Sequence, residues 1–450
     1  MLTPPPTATA AASERSLPRA IGQLASTAMV VGTVIGSGIF LVPHNVAQHV
    51  GAVGSVYLVW VVGGLLSLAG ALSIAELGAA TPEAGGIYIY LRQAYGKLVA
   101  FLYGWAMLLV VESGAVATLA VAFSIYSASF FPFTPLQQKL IAAGVIMLLT
   151  LVNVLGVRKG AAVQTIFMFA KLAGLAVIVG YALFPPEATQ VSASLPLPTP
   201  HTTMSSFGVA LVGVLWAYHG WHHLSYAAGE VKDPGRVLPR SFLWGTLLVI
   251  LVYLAANFAY LRVLSLGAIA EHQRVAARAM QALTGPSGAA LVSGLILCSI
   301  FGSLNGNILG GARVLFAMAR DGVFINAVGR VHPRYETPAV ALVIQGIWAA
   351  VLAVSGTFEQ LYTYVIFTAW MFYAGCTAAV VILRRRRPQL ERPYRVWGYP
   401  LVPLAFSLAA LSIVANTLVR SPRESFIGLG LVVAGVPIYA LWSRLRGRVR

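Results

Sequence analysis

The sequence predicts an all-α polytopic membrane protein with about twelve transmembrane helices. Of its 450 residues, 58% are hydrophobic and only 10% are charged, against about 25% charged in ordinary globular chains. Apolar runs long enough to cross a bilayer, about 20 residues each, recur along the whole length. The charges sit in short segments between those runs, as the positive-inside rule expects. The formal net charge of +17 therefore speaks of topology and the lipid bilayer, not of nucleic acid.

In chain order, residues 1–20 are rich in Pro, Ala and Thr and lack the apolar core of a signal peptide. They read as a disordered cytoplasmic tail. Twelve spans follow, at roughly 21–48, 53–78, 98–130, 138–157, 161–184, 205–228, 241–263, 287–319, 337–355, 360–383, 400–419 and 425–444, before a basic tail at 445–450. Several exceed one straight crossing, so tilt or breaks are expected. Placing the N-terminus inside puts most of the 30 Lys and Arg residues on the cytoplasmic side, including the run Arg384 to Arg387, a topology anchor. Both termini are then cytoplasmic. Alanine- and arginine-rich usage and short loops point to a bacterial inner membrane. Cys298 and Cys376 both fall inside spans, and no disulfide framework can be read from them.

Two spans are interrupted. The first carries Val34-Ile-Gly-Ser-Gly-Ile-Phe40, and the sixth carries Trp216-Ala-Tyr-His-Gly-Trp-His-His223. Glycine costs a helix roughly 1 kcal/mol against alanine, and a helix built only for burial would not concentrate that cost in one turn. The interruptions lie five spans apart, an odd number, so helices 1–5 (21–184) and helices 6–10 (205–383) would form two repeats of inverted topology, with helices 11 and 12 (400–444) appended. Matching interruptions of this kind are the best sequence pointer to a transporter's binding site.

A break at mid-membrane frees backbone groups that lipid cannot satisfy. Amides at a half-helix N-terminus suit a carboxylate, and freed carbonyls suit an ammonium, so a zwitterionic amino acid matches both. Gly36, Ser37 and Gly38 would supply amides, and Ile35, Trp216, Ala217 and His219 carbonyls. With Ile39, Tyr218 and Gly220 these are the candidate substrate contacts. Glu112, near the middle of the third span, is a candidate proton carrier, since an intramembrane carboxylate is functional by default; structural pairing is the alternative. Glu76 and Glu230 sit near span ends and are expected to brace an inner gate through basic loop residues. His219, His222 and His223 have no glutamate between them, so H-E-x-x-H is absent. No metal site is expected, and His222 and His223 read as structural.

The sequence resembles the amino acid–polyamine–organocation superfamily, and within it the L-type amino acid transporter family and its bacterial relatives. The resemblance is carried in order by GSGIF at 36–40, LSIAELGAATPEAGGIYIYLRQAYG at 72–96, WAYHGWHHLSYAAGEVKDPGRVLPR at 216–240, SIFGSLNGNILGGARVLFAMARDG at 299–322 and LRRRRPQLERPYRV at 383–396. It implies a five-plus-five inverted-repeat fold and amino acid transport by alternating access, with no covalent chemistry and no cofactor. It also implies that Trp216 occludes the substrate and that Trp370 lies near the pocket as a second gate residue. A small residue is usual where His219 stands. The loop around 131–137 holds no cysteine, which excludes the disulfide that ties animal members to a heavy chain.

Lys171 is a lysine well inside the fifth span, a placement that costs about 2.5–3.5 kcal/mol on insertion scales. The resemblance sets it against the first-helix break and the eighth helix, where a fixed ammonium replaces a sodium ion. Ser299 and Ser303, four apart on one face of that helix, are its candidate partners. The expected function is sodium-independent exchange of neutral L-amino acids. The rival readings are a proton-coupled symporter, a polyamine or basic amino acid antiporter, and a nutrient sensor without transport. An intramembrane Ser–Lys enzyme would leave the paired breaks unexplained.

Overall fold

The computed structural model describes residues 19–83, 85–156, 158–184, 202–335 and 337–447, with backbone alone at 158–170 and 445–447. The expected tails therefore lie largely outside the described residues. The rest is helical, with a single isolated bridge, Ile21 to Val231, and no strand among the described residues.

Helices α1 (Gln23–Val34) and α2 (Gly38–His49) form the first span, bent by 45° at Ile35–Ser37. Helix α3 (Val53–Ala80) follows, then the short α4 (Ile87–Tyr95). The third span runs through α5 (Lys97–Ala106), a π-helical turn (Met107–Val111) and α6 (Glu112–Ser127). Helices α7 (Pro135–Leu155) and α8 (Arg158–Leu183) complete the first half. Helix α9 (Met204–Ala217) stops at a turn and resumes as a 3₁₀ segment (His223–Glu230), and α10 (Pro234–Val263) follows. Then come α11 (Leu266–Glu271), α12 (Val275–Arg320), α13 (Ala339–Ser355), α14 (Phe358–Arg386), α15 (Leu401–Arg420), α16 (Pro422–Val433) and α17 (Gly435–Gly447).

Eight of the described stretches are individually long and apolar enough to cross a membrane, the bent α1–α2 pair adds a ninth, and three shorter apolar helices lie at 171–183, 204–217 and 339–355. These stretches fall on the twelve spans read from sequence. Two boundaries differ. The sixth helix ends at Ala217, not near 228, because the chain turns through His219 and Gly220 before the 3₁₀ segment. The seventh begins at Pro234, not 241; the eighth starts beside 287 as expected, because Gly285, at φ +79°, leaves the helical region and separates residues 275–284 from the span.

Three helices open on a threonine cap that satisfies orphan amides where lipid cannot. Thr134, Thr203 and Thr357 each accept from the third helical amide, and Gln137, Ser206 and Gln360 answer back. Large apolar side chains such as Leu148 and Leu151 on α7 and Leu408 and Leu411 on α15 are more than half exposed, as suits helices whose solvent is lipid. The small and polar residues turn inward: α1, α2, α9 and α10 pack at the centre, flanked by α3, α6, α12 and α14.

The two ends of the bundle differ. At the end where α1 begins, Ile21 donates its amide to the Glu230 carbonyl, and its own carbonyl accepts from Lys232. There Glu76, buried, accepts from Arg384 at 2.8 and 2.6 Å and from the Val396 amide at 2.7 Å, with Arg392 3.6 Å away. Glu76 thus meets the basic residues expected of it, while Glu230 contributes its carbonyl. At the opposite end a cavity of about 440 Å³ opens between α2, α6 and α14.

Candidate substrate site at the broken helices

Helix α2 starts at Gly38 because Gly36, Ser37 and Gly38 let the chain break and approach closely. A Cβ on Gly38 would lie 2.3 Å from Ala217 Cα, so the two interrupted helices touch where only glycine fits. The amides of Phe40 and Leu41 bond back to the Ser37 carbonyl at 3.1 and 3.2 Å. Those of Gly38 and Ile39, at the helix start, have no intrahelical acceptor. Ser37 Oγ is buried and without a hydrogen-bond partner among the described residues.

The carbonyl side of the break is held by Lys171. The residue is 3% exposed, and its Nζ donates to Gly32 O at 2.9 Å, to Ile35 O at 2.7 Å and to Ser303 Oγ at 3.0 Å. Hydrogen bonds to a charged group are worth about 1.5–3 kcal/mol, which offsets part of the cost of burying the ammonium. Ser299 is also buried, but its hydroxyl finds no partner among the described residues and is not one of the groups around Nζ.

The second break is held differently. Tyr253 Oη lies 2.8 Å from Ala217 O and 3.1 Å from Val34 O, so one hydroxyl serves the last carbonyls of both half-helices. Thr33 Oγ1, already bonded within its own helix at 2.8 Å, reaches Gly220 O at 3.2 Å. Gly220 has φ of +106°, and a Cβ there would meet Thr33 O at 2.9 Å. Of the four carbonyls expected to receive an ammonium, Ile35 O accepts from Lys171, Ala217 O from Tyr253, and Trp216 O from the His219 amide at 3.0 Å. Ile35 O also lies 3.5 Å from Ser303 Oγ and Trp216 O also meets the Tyr218 amide, so of the three Ala217 O keeps a lone pair free.

Between the breaks lies a small cavity of about 20 Å³. Gly36, Ser37, Gly38, Trp216, His219 and Asn307 are among its walls. No lining side chain is a carboxylate. Trp216 stands between this space and the open cavity. Its ring lies 6.4 Å from Phe358 and 6.4 Å from Tyr362, both of which line the open cavity, and 5.7 Å from the nearly parallel His219 ring. Ile39 and Tyr218 are buried beside the breaks but do not line the small cavity, and Tyr218 Oη bonds Trp60 O at 3.2 Å. Trp370 lies elsewhere, stacked on Phe406 at 5.2 Å. Tyr362 is the α14 aromatic that stacks on Trp216.

Glu112 sits where the π-turn hands over to α6, and such turns often mark functional sites. Its Oε1 is 3.3 Å from His223 Nε2. His222 lies 3.1 Å from Tyr373 Oη. The ring nitrogens of His219, His222 and His223 approach one another within 4.8 Å. Sequence reasoning found no partner for Glu112, because nothing in the chain order joins α6 to the 3₁₀ segment. It also missed Tyr253, Tyr362, Thr33 and Asn307. Tyr253 had a readable signal: a tyrosine inside an apolar span must find a partner for its hydroxyl.

Comparison with known proteins places the chain among transporters. A family model for amino acid permeases matches residues 21–440. A serine/threonine exchanger of Bacillus subtilis, SteT, is 32% identical over 432 residues, covering 95% of this chain and 97% of its own. The human b(0,+)-type amino acid transporter 1 is 31% identical over 435 residues, 95% of this chain and 88% of its own. The human cystine/glutamate transporter is 30% identical over 433 residues, 95% and 85% of the two chains.

Proposed function

This chain belongs to the amino acid permease family, and we propose that it exchanges neutral L-amino acids across a bacterial cytoplasmic membrane without sodium. Its family and relatives are transporters, not enzymes. The reading is carried by one observation: two half-helix ends meet around a small space whose carbonyl side is already tied to a fixed ammonium, Lys171 Nζ.

In this reading the substrate carboxylate takes the amides at the start of α2, helped by Ser37 Oγ. Its ammonium takes the remaining lone pair of Ala217 O. Lys171 holds the Gly32 and Ile35 carbonyls apart from the cycle of binding, as a sodium ion would. A cationic side chain would find no carboxylate in the cavity walls, which favours neutral substrates over polyamines or basic amino acids. The name of the Bacillus relative, a serine/threonine exchanger, points to small neutral substrates. Trp216, backed by Phe358 and Tyr362, closes the site toward the open cavity. The Glu76–Arg384–Arg392 cluster closes it toward the cytoplasm, with both termini on that side. Residues 21–184 and 205–383 act as inverted repeats that rock against each other. Free Cys298 and Cys376 lie within α12 and α14, so the chain works without a disulfide-linked heavy chain.

Counterflow in proteoliposomes tests this. Vesicles loaded with unlabelled alanine, serine or leucine should accumulate the labelled counterpart in sodium-free buffer, and vesicles loaded with arginine or glutamate should not. Accumulation that requires an inward proton gradient would overturn exchange and move the weight to Glu112.

A further inference from the structure

We propose that His219, His222, His223 and Glu112 form a binding site for a divalent transition-metal ion of the zinc class beneath the substrate cavity. The three histidines come from one short stretch that turns through Gly220, at φ +106°, into the 3₁₀ segment, and the fold brings their rings together. Their ring nitrogens lie within 4.8 Å of one another, and the Glu112 carboxylate approaches to 3.3 Å from His223 Nε2. All four are more than nine-tenths buried. Among the described residues, both ring nitrogens of His219, Nε2 of His223 and both oxygens of Glu112 lack a hydrogen-bond partner.

Buried polar groups are nearly always partnered, and a buried carboxylate is costly unless a charge or donor meets it. A proton shared between Glu112 and His223 would serve that pair and leave His219 unserved. A divalent cation serves the carboxylate and the imidazole lone pairs together. Three imidazoles and one carboxylate suit zinc, cobalt or nickel rather than magnesium or calcium, which take oxygen ligands. Zinc–nitrogen bonds of about 2.0–2.1 Å require the rings to draw together from spacings of up to 4.8 Å and Glu112, now beside His223, to swing in as the fourth ligand. Tyr373, at 3.1 Å from His222, is the outer partner that orients a ligating imidazole. His219 also lines the substrate cavity and stacks under Trp216. The ion would therefore clip the unwound segment after α9 to the π-turn of the third span.

The test is a Co²⁺ titration of the full chain in nanodiscs, without a histidine tag, read by visible absorption. The expected result is the intense ligand-field spectrum of four-coordinate Co²⁺, saturating at one ion per chain and abolished by Zn²⁺. Glu112→Gln and His223→Ala should lose it, and His332→Ala, on the α12–α13 loop, should keep it. Tyr373→Phe, which leaves every ligand in place, should weaken binding by about 10–100-fold. A wild-type spectrum that is only weak and octahedral would overturn the site. So would an intense spectrum that survives the double substitution His219→Ala/His223→Ala. The readout does not depend on transport, so its failure leaves the exchange reading standing.

Discussion

The two breaks do the same job with different chemistry. At the first, a buried charge holds the backbone: Lys171 Nζ bonds Gly32 O and Ile35 O and is steadied by Ser303. At the second, neutral hydroxyls hold it: Tyr253 spans Ala217 O and Val34 O, and Thr33 reaches Gly220 O. A charge-assisted bond is roughly twice as strong as a neutral one. By these backbone holds alone the first break is the pinned one, and the second yields more readily unless the proposed ion clips it to the third span. Trp216, the aromatic proposed to occlude the substrate, sits on the second.

Substitutions that exchange or remove these holds sharpen the comparison. Lys171→Met should have the largest effect. It leaves two buried carbonyls without their donor, at about 1–3 kcal/mol each, and should cut counterflow by about 100-fold or more while the protein remains in the membrane. Gly38→Ala comes next. The new methyl meets Ala217 backbone that cannot step aside, and overpacking of about 1–3 kcal/mol should appear as a lower melting temperature and about tenfold slower exchange. Tyr253→Phe removes a single shared proton, worth about 1 kcal/mol. It should slow exchange about fivefold, a smaller loss than at Lys171. Thr33→Val should do least, about twofold, because its hydroxyl is already bonded within α1. A Thr33 or Tyr253 variant more damaged than Lys171→Met would invert the assignment of pinned and yielding breaks.

The span pattern and both interruptions were legible because each has a local cause: apolar runs of bilayer length, and Gly-Ser-Gly or His-Gly inside them. Lys171 was legible because a lysine within an apolar run stands out. The partners were less so. Ser303 and Ser299 are indistinguishable by spacing on one helix face, and only packing puts Ser303 against Nζ. Trp370 and Tyr362 are both aromatic residues of one helix, and the structure turns Tyr362 toward Trp216 and Trp370 toward Phe406. The meeting of Glu112 with the three histidines had no local sign, since it depends on a π-turn and on how α6 faces the 3₁₀ segment.

Sodium dependence of counterflow, measured side by side for wild type and Lys171→Met, tests the central claim most directly. The account predicts that wild-type exchange of neutral amino acids is unchanged when sodium is replaced by choline, and that Lys171→Met loses exchange in choline. Wild-type exchange that stops without sodium, or a Lys171→Met variant that exchanges in choline as fast as wild type, would contradict it.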